Sequence, residues 1–176
     1  MADIDKEILE DFLSESKDLM GKMVSTLEAC EGDFSQVKGL EDYGLNVDRI
    51  MGAAKSIAMM VPEDPNHLIH KVGDYAAVCK AVGYKASQIR DNVQFYDICV
   101  ALLLDGTEVL EAMVDGLSNG RNEIKGLFSQ TFLERLRWVS SQFGEEYRAS
   151  VDIHKGQKTK MNQDDIDDLL KKLGLD

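Results

Sequence analysis

Proline is nearly missing from this chain: Pro62 and Pro65 are the only two in 176 residues. Helix interiors are therefore spared their strongest breaker, and long helices are allowed. Cysteine is scarce as well. Cys30, Cys79 and Cys99 are far apart, odd in number and form no CxxC pair, which argues against a disulfide framework or a zinc site. Each sits in an apolar-periodic stretch and reads as a small core residue of a protein kept in a reducing cytoplasm. Basic charge is in short supply, with 20 Lys and Arg against 32 Asp and Glu for a net charge of −12. So acidic a chain is poorly suited to nucleic acid or to an anionic membrane surface; a basic protein face is the more natural partner. No apolar run approaches the roughly 20 residues that span a bilayer. The acidic, periodic start reads as a helix and not as a signal peptide. P-loop, GxGxxG and GxSxG patterns are all missing.

What is present is helical periodicity. Apolar residues make up 44% and charged residues 30%, an ordinary balance for a soluble globular protein. The length suits one domain with its own core plus a short appendage. Ile4, Ile8, Leu9, Phe12, Leu13, Leu19, Met20, Met23, Val24 and Leu27 recur at helical spacing and predict one long amphipathic helix from Asp3 to Cys30. Acidic residues crowd its first turns, where they complement the helix dipole. The stretch from Glu31 to Tyr43, with its glycines and Gly44 beyond, reads as a loop. A second helix starts near Asn46, a good N-cap, and ends before Pro62 and Pro65. A third covers Asn66 to Lys85 and a fourth Ser87 to Leu117. A fifth follows the Ser118-Asn119-Gly120 break and reaches Ala149. No stretch shows sustained period-two alternation. The fold class is therefore all-α, an antiparallel bundle of about five helices over residues 1–149.

Composition then changes. Residues 150–161, with the run His154-Lys155-Gly156-Gln157-Lys158-Thr159-Lys160, carry too little apolar surface to pack and read as a flexible linker. Periodicity returns in residues 162–176. Ile166, Leu169, Leu170 and Leu173 fall at i, i+3, i+4 and i+7 and make one narrow apolar stripe. Asn162 is placed to cap this tethered helix, Asp164 and Asp165 suit its N-terminal end, Lys171 and Lys172 its C-terminal end, and Gly174 its stop. Three turns alone are marginal in water, so the stripe needs a seat. Physics leaves two open: a groove on another protein, or the chain's own bundle.

The run QDDIDDLLKKLGLD, Gln163 to Asp176, resembles the C-terminal peptide of CheZ, the chemotaxis phosphatase. There a QDxxDDLL core and a following leucine-glycine pair bind the response regulator CheY. It is also similar to the N-terminal CheY-binding peptide of the flagellar switch protein FliM, which has an SQxEIDxLL core. The resemblance implies that Gln163, Asp164, Ile166, Asp167, Leu169 and Leu170 contact a CheY-type regulator, with Leu173 completing the stripe.

A second resemblance covers roughly the first hundred residues. EILEDFLSESKDLMGKMVSTLEA looks like the opening helix of a CheA-type histidine phosphotransfer (HPt) domain. The second helix of that family carries A-A-H-S-I-K-G; here the corresponding stretch is Ala53-Ala54-Lys55-Ser56-Ile57-Ala58-Met59. Lys55 stands where the phosphoaccepting histidine would be. Its amine is protonated at neutral pH and has no free lone pair, so the departure implies that phosphotransfer has been lost.

A phosphotransfer-like bundle without its histidine, joined to a CheZ-like tail, implies a cytoplasmic chemotaxis accessory protein. It would capture phosphorylated CheY and promote its dephosphorylation, or hold the regulator as a non-catalytic adaptor. Such phosphatases need no cofactor of their own, because the regulator brings the aspartyl phosphate and its Mg2+. The partner supplies an amide that positions water, with an acid nearby. The D-x-x-x-Q spacing of CheZ does not occur here. Asp91 and Gln94 form a D-x-x-Q pair on the expected fourth helix and are the candidate catalytic residues. Gln88 and Asn92 make a same-face amide pair on that helix. Glu63 and Asn66 are interrupted by Pro65. His67 and His70 lack a third ligand and read as a surface pair, so no metal is expected. Met59 and Met60 read as core, and Trp138 as a packing anchor. Whether the bundle forms a homodimer is left open.

Overall fold

The structure, a computed structural model, describes residues 3–121, 123–144 and 163–175. Among them every regular element is helical, as the periodicity requires. Six α-helices follow in order: α1 (Lys6–Cys30), α2 (Gly39–Ala58), α3 (Leu68–Ala86), α4 (Val93–Ser118), α5 (Gln130–Gln142) and α6 (Gln163–Lys172). Short 3-10 turns at Phe34–Gln36 and Lys125–Leu127 lead into α2 and α5. Side chains start several helices. Asp5 accepts from the amides of Glu7 and Ile8, Asn92 from Phe95, and Ser129 from Phe132, each satisfying donors that the first turn leaves unpaired. The expected end of the fifth helix at Ala149 and the linker at 150–161 lie outside the described residues.

Helices α1 to α4 close a four-membered ring in which each packs on the next and α4 returns to α1. The cross-links run antiparallel throughout. Arg49 of α2 pairs with Glu15 of α1 at 3.1 Å. Lys80 of α3 pairs with Asp48 of α2 at 2.8 Å. The Tyr75 hydroxyl of α3 donates to the Gly106 carbonyl of α4 at 2.8 Å. The Tyr96 hydroxyl of α4 lies 2.7 Å from the carbonyl of Cys30 at the end of α1. Helix α5 lies along α4, where Phe95 meets both Trp138 and Phe143 edge-on or tilted. Helix α6 then packs against α3 and α5. The three cysteines are buried and free, as the sequence implies.

The second helix begins at Gly39, seven residues before the expected Asn46, and Gly44 lies inside it. The reason is across the interface. A β-carbon on Gly44 would come within 2.6 Å of the Tyr84 ring on α3, and one on Gly83 within 2.8 Å of the Tyr43 ring on α2. Each ring fills the space that the facing glycine leaves, so these glycines serve close helix approach and not a loop. Tyr43 is fully buried, and its hydroxyl meets Thr107 of α4 at 3.1 Å.

Two expectations about the core do not hold. Met59 and Met60 are 80% and 55% exposed. Helix α2 ends at Ala58, and the chain turns there so that Val61 enters the core instead. Trp138 is 48% exposed and touches Phe95 with one edge, so it borders the core without anchoring it.

The glycines separate two effects of one substitution. Gly83→Ala, and likewise Gly44→Ala, should destabilise the fold by about 1–3 kcal/mol, because the rings are fixed between helices. Gly52→Ala, on the exposed face of α2 with nothing within 4 Å, should stabilise by about 0.5–1 kcal/mol through helix propensity alone. Urea unfolding midpoints of the three variants test this; equal shifts would sink the close-approach account.

Candidate functional site

The tail sequence folds as the periodicity predicts and then closes in a specific way. Gly174 adopts φ 75°, the left-handed region that costs glycine nothing. The amide of Leu175 bonds the Leu170 carbonyl and that of Gly174 the Lys171 carbonyl, both at 2.9 Å. This pair is a Schellman motif, and it folds Leu175 back beside Leu170. Ile166, Leu170, Leu173 and Leu175 are all buried, while Leu169 and Asp167 are half-buried and Asp168 exposed. Leu175 thus extends the stripe, although i, i+4 counting does not reach it. Asn162 and the side chains of Gln163, Asp164 and Asp165 lie outside the described residues.

The buried stripe rests on this chain's own bundle. Lys172 reaches Asp74 of α3 at 3.5 Å, and the Arg137 guanidinium of α5 donates to the Leu175 carbonyl. Asp74, Ala77, Val78, Ala81 and Lys85 form one face of α3 at spacings of 3, 4, 7 and 11 residues, and all five are buried. Asp74 meets α6, Val78 lines a small void with Phe132 and Leu136 of α5, and the Lys85 ammonium lies 5.9 Å from the Phe143 ring centre. That face points away from the α1–α4 ring, and α5 and α6 cover it. Apolar residues such as Ala77, Val78 and Ala81 on the outward side of a ring helix are the sequence signal for an extra covering layer.

The candidate catalytic pair is arranged differently from the sequence expectation. Helix α4 starts at Val93 and not at Ser87. Ser87 Oγ and Gln88 Nε2 turn back to donate to the Tyr84 carbonyl at 2.6 and 2.8 Å, closing α3. Asn92 Oδ1 then caps α4 at 3.0 Å from the Phe95 amide. Asp91 therefore precedes the cap, outside the helix, while Gln94 lies in its first turn. Both are exposed, but they do not share a helix face, and neither do Gln88 and Asn92.

Lys55 is exposed in the last turn of α2. Gly73 of α3 leaves room for its stem, since a β-carbon there would lie 3.1 Å from Lys55 Cγ. The two histidines have structural roles. His67 Nδ1 accepts from the Ile69 amide at 3.1 Å and caps α3, and His70 Nε2 lies 3.2 Å from the Val61 carbonyl. Among the described residues no group of three or more His, Cys, Asp or Glu could hold a metal, and no helix is long and apolar enough to cross a membrane.

An open groove of about 520 Å³ lies between α1 and α4 and is lined by Leu13, Ser14, Lys17, Met20, Glu111, Val114, Asp115 and Ser118. Desolvation raises the Glu111 carboxyl above its usual range, and Asp115 and Glu108 push it further. Comparison with known protein families, curated proteins and solved structures finds no match to this chain.

Because the folded state holds Glu111 above its unfolded pKa, folding favours the protonated acid. That contribution is complete below the unfolded pKa and is lost as pH rises through the folded one. Glu111→Gln should therefore raise the unfolding midpoint at pH 7 relative to the parent chain and lose that advantage near pH 4. A constant difference between the two proteins across this range would show that Glu111 is not desolvated.

Proposed function

We propose that this chain captures a phosphorylated CheY-type response regulator through α6. The observation that carries the reading is the tail itself: a ten-residue acidic helix with its leucines on one stripe, closed by Gly174, in a run that resembles the CheZ peptide. A helix so short gains its stability from whatever groove receives it. Lys55, exposed where the resembling family carries histidine, supports binding without phosphotransfer.

Two consequences of capture are in play. One is faster loss of the phosphoryl group, in which Gln94, an exposed amide on the first turn of α4, would position water at the regulator's Mg2+-bound aspartyl phosphate. The other is holding the regulator without chemistry, as an adaptor. The place of Asp91 ahead of the Asn92 cap favours the adaptor, because acid and amide are not presented together.

Titration of acetyl-phosphate-loaded CheY with the full chain tests both. Binding should weaken more than about tenfold in the Leu169→Ala/Leu170→Ala double variant, since each truncation removes about 1–2 kcal/mol of apolar contact. Unchanged affinity would end the docking reading. Accelerated phosphate loss that disappears in Gln94→Ala identifies a phosphatase; binding with an unaltered decay rate identifies the adaptor.

A further inference from the structure

We infer that the tail helix is held in a self-docked state and that a regulator must displace it before binding, so the bundle sets the affinity of its own docking peptide. The inference rests on the regulator-binding reading and adds its control. A helix of three turns presents one apolar stripe. Here Ile166, Leu170 and Leu173, three of the proposed regulator contacts, are buried together with Leu175 against α3 and α5. A stripe turned into the bundle cannot face a second groove, so the two seats exclude each other.

The seat is built for this occupant. The outward face of α3 carries Ala77, Val78 and Ala81 where a ring helix normally meets water, and these residues are buried only because something lies over them. Asp74 receives Lys172 near one end of that face. Arg137 holds the Leu175 carbonyl beyond the Schellman turn, a group that the helix leaves without an internal partner. Leu175 is the distinguishing residue. It belongs to the self-docked contact and not to the set that the CheZ resemblance assigns to the regulator.

Competition of this kind scales the apparent affinity by the fraction of chains with the tail released. With about 10% released, freeing the tail completely would tighten apparent regulator binding about tenfold. The test uses the full chain. Leu175→Asp places a carboxylate in the apolar seat, and Arg137→Ala removes the guanidinium that holds the Leu175 carbonyl; neither changes a residue from Gln163 to Leu173. Amide exchange across 166–173 reports release, and titration with phosphorylated CheY reports affinity. The expected result is lower protection of these amides in both variants, with tighter regulator binding, greater for Leu175→Asp.

Lower protection with unchanged or weaker binding would overturn the competition, as would unchanged protection and affinity in both variants. The Leu169→Ala/Leu170→Ala variant separates this failure from that of the functional reading. If it abolishes binding while release brings no gain, the competition alone is wrong. If it leaves binding intact, the docking reading falls too.

Discussion

Tyr43 and Tyr84 each occupy the volume that a β-carbon would fill on the facing helix, beside Gly83 and Gly44. This reciprocal fit lets α2 and α3 approach closely, and it fixes the register in which Asp48 meets Lys80 and Lys55 lies over Gly73. Everything placed on α3 depends on it. The outward face of α3 receives α6, and Val78 on it meets α5, so a shift of α3 would move the seat of the tail. The buried hydroxyl of Tyr43 carries the constraint on to α4 through Thr107, which donates in turn to the Leu103 carbonyl at 2.7 Å. Packing of large rings into glycine gaps leaves few alternative arrangements, which is how a small number of contacts can specify a whole bundle.

Much of this architecture was legible as period. The stripes of α1 and α3 needed only counting, and the two prolines marked the end of α2. What stayed hidden depends on residues far apart in sequence. Gly44 reads as a loop residue until Tyr84, forty positions later, is placed against it. The start of α4 was misplaced because Ser87 and Gln88 spend their side chains on the Tyr84 carbonyl, a choice between two local hydrogen bonds that composition does not resolve. That shift separated Asp91 from Gln94. Met59 and Met60 look like core by hydropathy, yet the turn at Ala58 directs them outward.

The tail shows the same limit from the other side. Its helix, its stripe and its glycine stop follow from the sequence, because each is a local property. Its seat does not, because an amphipathic stripe specifies only that a groove exists. The sign of an internal groove lies in another element: Ala77, Val78 and Ala81 make α3 too apolar on its outer face for a helix with water on that side. The narrow stripe of α6 and the apolar outer face of α3 are complementary only as a pair, which the periodicity of neither helix alone contains.

The buried thiols have a practical consequence. Burial pushes the Cys79 thiol up to about 11 and that of Cys99 to about 12, and Cys30 is raised as well. Thiolate is the reactive form, so none of the three is primed for oxidants or alkylating reagents while the bundle is closed. Each sits on a different helix of the ring. The rate at which a reagent labels Cys30, Cys79 or Cys99 therefore times the opening of α1, α3 or α4 individually, and the native chain carries its own three-channel clock of local unfolding.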